Sequence, residues 1–234
     1  MSILTLPPDF FDARTAMANA RDTLRHGQGE QNEWGAHMDD KPEGARLGWR
    51  ALDTQYPMTT PFMRMRQDHV SIADKGEVTY TYEERADAVG VVPVTADGTI
   101  LLIRQYRYPI DTWCLEIPAG GTRDHAGLPL EAVARIDLAQ ETGATCASML
   151  PVGFFYVACS SRRQRFHVFL ALDVECSVAA QPEMTEQIEV CPMPARDVLL
   201  LARTGQMPEG QSALSLLLCQ DLLRQHGYLD HSSP

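Results

Sequence analysis

The stretch from residue 129 to 143 leaves the chain little choice of backbone. Pro129 opens it, Gly143 closes it, and no Gly or Pro lies between them. A proline preset for the first helical turn, and a glycine free to turn left-handed after the last one, predict an α-helix over 129–142. On that helix Asp137 and Glu141 stand four apart, on one face. Two like charges so placed destabilise a bare helix, and Glu141 also lies near the negative end of the helix dipole. A hard divalent cation bridging the pair removes that penalty. A solvated acidic face is the plain alternative.

The helix is set among strand-like segments. Residues 88–94 and 100–103 are apolar runs separated by Asp97-Gly98, a hairpin turn, and 113–117 leads into the turn Pro118-Ala119-Gly120-Gly121. Further strands are expected at 150–156, 165–175 and 186–193, a short helix at 198–203 and a longer one at 212–226. Strands interleaved with helices define an α/β class. Upstream, Met63-Arg64-Met65-Arg66 and His69-Val70-Ser71-Ile72 alternate apolar and polar, and the turn Asp74-Lys75-Gly76 precedes residues 78–82. This pattern predicts a small antiparallel sheet, too small to be stable alone. The expected division is an N-terminal extension of helix and loop over 1–48, a small β subdomain over 49–85 and the main domain over 86–234. Within the extension, Ala16, Ala20 and Leu24 line one face of a helix over 12–25.

Composition narrows the partners. The 234 residues carry 20 Lys and Arg against 31 Asp and Glu, a net charge of −11. Phosphate contacts need surplus cations, so dedicated binding to nucleic acid or to an anionic membrane is not expected. Small phosphorylated ligands stay open, because a few Arg or a divalent ion can neutralise them. No apolar run reaches the roughly eighteen residues of a membrane span, and the first residues lack a basic-then-apolar leader, so a cytoplasmic protein is expected. Cys114, Cys146, Cys159, Cys176, Cys191 and Cys219 form no CxxC pair and read as reduced core thiols.

Taken together, these segments resemble the Nudix hydrolase family, in particular its ADP-ribose and nucleotide-sugar pyrophosphatase branch. The resemblance rests on Ile103-Arg104-Gln105-Tyr106-Arg107-Tyr108, Leu115-Glu116-Ile117-Pro118-Ala119-Gly120-Gly121 and Pro129-Leu130-Glu131-Ala132. It continues through Leu138-Ala139-Gln140-Glu141-Thr142-Gly143, Phe166-His167-Val168-Phe169-Leu170-Ala171 and Glu186-Gln187-Ile188-Glu189-Val190, and covers about residues 60–222. It implies a Nudix α/β/α sandwich with a mixed sheet, and a homodimer whose small N-terminal antiparallel β subdomain is exchanged between subunits. Anchored at Gly143, the family's helix pattern has its Arg replaced by Ile136, its first Glu by Asp137 and its second by Gln140, and keeps the third as Glu141. In that pattern the Arg and the middle Glu pair across one turn, so Ile136 and Gln140 replace both partners together. The loop after Gly120 is two residues longer than the pattern and lacks its Glu. Arg135 sits one position early, so an insertion within the helix is a competing alignment.

The resemblance implies Mg²⁺- or Mn²⁺-dependent hydrolysis of the diphosphate in a small nucleoside diphosphate linked to a sugar or similar moiety. The metal would sit on Asp137, Glu141 and the backbone carbonyl of Ala119. Pro182-Glu183-Met184-Thr185-Glu186 matches a mobile loop that supplies the general base, with Glu186 the first candidate and Glu183 the second, against an ordinary polar turn. Arg104 and Glu116 would position substrate, with a structural salt bridge as the rival for each. A metal-facing Glu of the branch appears as Gln164, and the adjacent Arg162 and Arg163 either hold phosphates or line a solvated loop. Trp49, Tyr80 or Tyr82 would stack on the base, or are core. A second reading, a catalytically impaired Nudix domain that binds a nucleotide metabolite or a partner, follows from Ile136, Gln140, Gln164 and the lengthened loop.

Overall fold

The computed structural model describes residues 41–182, 184 and 186–229. The helix expected over 12–25 and the base candidate Glu183 lie outside the described residues. A short helix α1 (Pro42–Arg46) leads into an antiparallel sheet of β1 (Trp49–Thr59), β2 (Arg64–Ile72) and β3 (Gly76–Glu84). The period of two puts Trp49, Val70, Val78 and Tyr80 on one face, and Gln67, His69, Thr79 and Thr81 on the other. Strand β1 is exposed along nearly its whole length, which is why no apolar alternation marks it in the sequence.

The body begins with β4 (Ala88–Pro93), β5 (Thr99–Arg107), β6 (Thr112–Glu116) and β7 (Ala119–Gly121), and then α2 (Leu130–Thr142). It continues with β8 (Ala144–Thr145), β9 (Ser148–Tyr156), β10 (Arg162–Arg163), β11 (Arg165–Leu172), β12 (Glu175–Cys176) and β13 (Ile188–Pro194). Helices α3 (Ala195–Arg203) and α4 (Gly210–Gln225) close it. One mixed sheet has the order β7-β4-β11-β9, in which β4 and β11 run parallel. An antiparallel sheet has the order β13-β5-β6, and β10 joins the N-terminal sheet beside β3.

Alternation along β4 and β11 builds an α/β/α sandwich. Val89, Val91, Phe169 and Ala171 pack with Val133, Ala134 and Leu138 of α2. Val92, Val94, Val168 and Leu170 pack on the opposite side with Val198 and Leu199 of α3 and Leu216 and Leu223 of α4. Strands covered on both faces read as continuous apolar runs, as these do. Each buried Val or Leu contributes roughly 1.5–3 kcal/mol relative to exposure, so α2 is fixed firmly over β4 and β7.

Some local expectations shift. The Asp97-Gly98 turn reverses the chain, but β4 and β5 meet only at a Val94–Ile100 bridge, because both edges of β4 are taken by β7 and β11. The strand expected over 165–175 breaks at Asp173, whose φ of 51° is left-handed. Pro129 stands just before the helix, which starts at Leu130. All six cysteines are free, yet only Cys114 and Cys219 are buried, while Cys159 and Cys176 are exposed. Among the described residues no helix is long and apolar enough to cross a membrane.

Candidate active site

Helix α2 crosses the edge strand β7 at close range. A Cβ added to Gly120 would lie 2.5 Å from the carboxylate carbon of Asp137, so a side chain there would displace that carboxylate. One turn on, Glu141 Oε2 accepts the Ala119 N–H at 3.0 Å. Asp137 and Glu141 are 7% and 6% exposed. Gly143 ends the helix with φ 69°, and a Cβ there would collide with the Val178 carbonyl. Arg135 is engaged elsewhere, with Glu131 at 2.8 Å and the Cys146 carbonyl at 2.7 Å. Helix α2 thus runs unbroken from Leu130 to the left-handed Gly143.

Burial pushes the Glu141 carboxyl well above the usual carboxylate range, and the charges of Glu186 and Asp137 push the same way. The Ala119 N–H and the Arg107 guanidinium act against this. The charge of Glu186 thus acts on Glu141. The Glu186 loop is tied to the helix where Gln181 N–H donates to the Gln140 carbonyl at 2.7 Å. Glu116 faces the same side and receives Arg107, Nε to Oε1 at 2.8 Å and Nη2 to Oε2. Glu209, at the start of α4, accepts the Ser212 N–H and hydroxyl, each at 2.7 Å, and Ser212 Oγ accepts the Ile117 N–H at 3.0 Å. The N-terminus of α4 therefore holds the segment that carries Glu116 and Ala119.

Sequence reasoning did not single out Arg107, Glu209 or Ser212. Arg107 was within reach: in the β5–β6 hairpin Ile103 faces Glu116 and Arg107 faces Thr112, so Arg107 and Glu116 share a face. Glu209 carries no such signal, because Ser, Thr, Asp and Asn are the usual helix caps.

The other expected residues lie apart. Arg104, offset by an odd step from Arg107, is on the opposite face of β5, bonded to Glu189 at 2.9 Å and 4.6 Å from the Trp113 ring centre. Arg162 pairs with Glu83 at 2.8 Å and Arg163 with Glu84 at 2.6 Å, which ties β10 to β3. The Gln164 amide donates to the Ala86 carbonyl at 2.9 Å. Tyr82 is buried between Lys41 and Asp68, while Trp49 and Tyr80 meet edge-on. The structure brings together Glu116, Ala119, Asp137 and Glu141, with the charge of Glu186 acting on Glu141, and leaves Arg104, Arg162 and Arg163 outside.

Among the described residues no group of three or more His, Cys, Asp or Glu side chains converges to hold a metal ion. The Asp137–Glu141 pair nevertheless suits Mg²⁺, which takes one or two carboxylates and completes its sphere with water and substrate phosphates. Two buried like charges are also what such an ion would neutralise.

A sandwich of this topology, with an acidic helix laid across a Gly-Gly edge strand, defines the class of the Nudix hydrolases. A family model described as "NUDIX domain" matches residues 84–211, more than half of the chain, and the chain belongs to that family. The ADP-ribose pyrophosphatase of Bacillus subtilis (strain 168) is 29% identical over 135 residues, covering 57% of this chain and 71% of that one. The ADP-sugar pyrophosphatase of Mus musculus is 42% identical over 62 residues, 25% of this chain and only 28% of that one. The crystal structure of an ADP compounds hydrolase has a TM-score of 0.68 at 17% identity, over 77% of this chain and 97% of that one, which shows the fold.

Proposed function

We propose that this Nudix hydrolase cleaves the diphosphate of ADP-ribose or a closely related nucleoside diphosphate sugar, with Mg²⁺ or Mn²⁺. The observation that carries the reading is the burial of Asp137 and Glu141 together against Gly120 and Ala119. The substrates named for the two relatives support the ligand class. An ion held by Asp137, Glu141 and the Ala119 carbonyl would supply charge neutralisation and Lewis acidity. Glu186, whose charge acts on Glu141, takes the proton of the attacking water, with Glu183 as second candidate. Glu116, oriented by Arg107, positions the substrate. Arg104 acts only from the outer face of the hairpin, and Arg162 and Arg163 act through the β1–β3 sheet that they hold.

The same reading gives residues 49–85 a subunit-joining role and 86–234 the hydrolase role, in a cytoplasmic homodimer. Trp49, Tyr56, Val78 and Tyr80 support it, being 39, 39, 40 and 41% exposed on the small sheet. The test is phosphate release in a coupled phosphatase assay, screening ADP-ribose, nucleotide sugars, dinucleoside polyphosphates, coenzyme A and nucleoside triphosphates with each metal. Turnover of one substrate, abolished by both Glu141→Gln and Asp137→Asn, is the expected result. One specific observation favours an impaired binding domain instead: Gln140 and Gln164 remove two carboxylates, and Gln164 is occupied with Ala86. No turnover, with ligand-induced thermal shifts retained in both variants, would establish that second reading.

A further inference from the structure

Asp87, which the proposed chemistry does not use, is a heavily bonded acid outside the site. Its carboxylate accepts the Arg165 N–H at 3.0 Å, Arg165 Nε at 2.9 Å and Nη2 at 2.7 Å, and lies 3.2 Å from His167 Nε2. Its backbone carbonyl accepts two bonds from Thr122, the N–H and the hydroxyl, each at 2.9 Å. Arg165 and His167 belong to β11, and Thr122 is the first residue after β7. Asp87 therefore links strands on both sides of β4.

The registers show what that link controls. His167 stands beside Val89, and Val89 beside Gly120, in one row across β11, β4 and β7. Gly120 is the residue on which the Asp137 carboxylate rests. Strand β7 has only three residues and lies at the sheet edge, so its own ladder resists slippage weakly. Displacing it by one residue would replace Gly120 beneath Asp137 by Ala119 or Gly121 and turn the other face to the helix. The two Thr122 bonds to Asp87 oppose that displacement at the exit of the strand. Burial pushes the Asp87 carboxyl up, but His167 and Arg165 outweigh it and hold the group below its usual value, so the anchor is charged at neutral pH.

We propose that Asp87 is a positioning residue for the metal-facing carboxylate Asp137, acting through Thr122 and the register of β7. The proposal rests on the metal-site reading above. The experiment is Mn²⁺ binding to the full chain by electron paramagnetic resonance, at a temperature where circular dichroism shows each variant folded. Asp87→Asn and Thr122→Val are expected to weaken Mn²⁺ affinity about tenfold, the scale of losing an outer support of a metal ligand. Thr122→Ser keeps both bonds and is expected to bind as the parent chain does. Should Asp87→Asn fail to fold, the contrast between Thr122→Val and Thr122→Ser decides alone. Undiminished affinity in Thr122→Val overturns the proposal. A parent chain that binds no Mn²⁺ removes the metal-site reading and this inference with it, whereas binding that is lost in Glu141→Gln but kept in Thr122→Val removes only the inference.

Discussion

Among the buried acids of the described residues, Asp68 and Glu84 stand against Asp137 and Glu141, and the two pairs differ in company rather than in burial. Asp68 and Glu84 of the small sheet are each 1% exposed, against 7% and 6% for Asp137 and Glu141. Asp68 accepts from Lys41 and Arg66, both at 2.8 Å, and from Thr54 at 2.7 Å. Glu84 pairs with Arg64 and Arg163 at 2.6 Å and with Arg66 at 3.5 Å. Burial pushes Asp68 up, yet the bonds from Lys41, Arg66 and Thr54 bring it to about 2. At Glu141 the acids Glu186 and Asp137 add to burial, and the carboxyl is driven the opposite way. A buried carboxylate matched by cations holds strands together, while one set among other acids is disposed to bind a cation from outside.

The comparison breaks most sharply on exchanging each charge for an amide. Glu141→Gln is expected to cut turnover at least a thousandfold, about 4 kcal/mol, with thermal stability equal or higher, because a disfavoured buried charge is gone. A drop in stability with activity retained would reverse the assignment of this acid. Glu84→Gln is expected to behave in the opposite sense. It leaves buried guanidinium groups facing an amide and destabilises by about 3 kcal/mol in urea unfolding, with turnover per folded molecule unchanged.

How far the two acid pairs could be told apart beforehand depends on the distance over which their partners act. Asp137 and Glu141 are legible because a bracketed helix fixes their spacing, and the Gly-Gly turn stands close upstream in the chain. Arg162 and Arg163 are not, because Glu83 and Glu84 lie 79 residues away and nothing local marks the pairing. A pair of adjacent arginines looks the same whether it awaits a phosphate or is already paired. The strand content of the fold is legible from apolar runs, but the parting of β4 from β5 is not. A local turn signal cannot report that β7 and β11, from distant parts of the chain, occupy both edges of β4. Arg104 and Arg107 show the same limit at short range: both suit a phosphate, and only the hairpin register separates their faces.

Acidity sharpens the contrast at a smaller scale. Asp68 has a folded value of about 2 against 3.8, so its contribution is present above 3.8 and is lost as pH falls through about 2. That contribution is on the order of 1–2 kcal/mol, allowing for solvent screening. Glu141 has a raised folded value, so its contribution is present below the ordinary carboxylate range and is lost as pH rises through the folded value. Tm followed against pH without metal should therefore show a loss toward low pH that Asp68→Asn removes. It should also show a loss on the way up that Glu141→Gln removes. Added Mn²⁺ should restore the second loss and release a proton on binding, read by calorimetry in buffers of different ionisation enthalpy. A metal-free Tm with no rising-pH loss would place Glu141 in the same class as Asp68.

The smallest expected effect belongs to Arg104, whose ion pair with Glu189 joins side chains 45% and 58% exposed. Exposed pairs of this kind contribute about 0–1 kcal/mol, and salt screens them. Arg104→Ala should therefore leave Tm almost unmoved, and its kinetics report which face of the β5–β6 hairpin meets the substrate. Located opposite Arg107 and Glu116, Arg104 is expected to raise KM modestly on removal and leave kcat intact, the pattern of a contact made equally in ground and transition states. A matched fall in kcat and kcat/KM would instead mean that the hairpin's outer face reaches the reacting diphosphate. The pairing of Glu116 with Arg107 on the carboxylate side would then no longer account for substrate positioning.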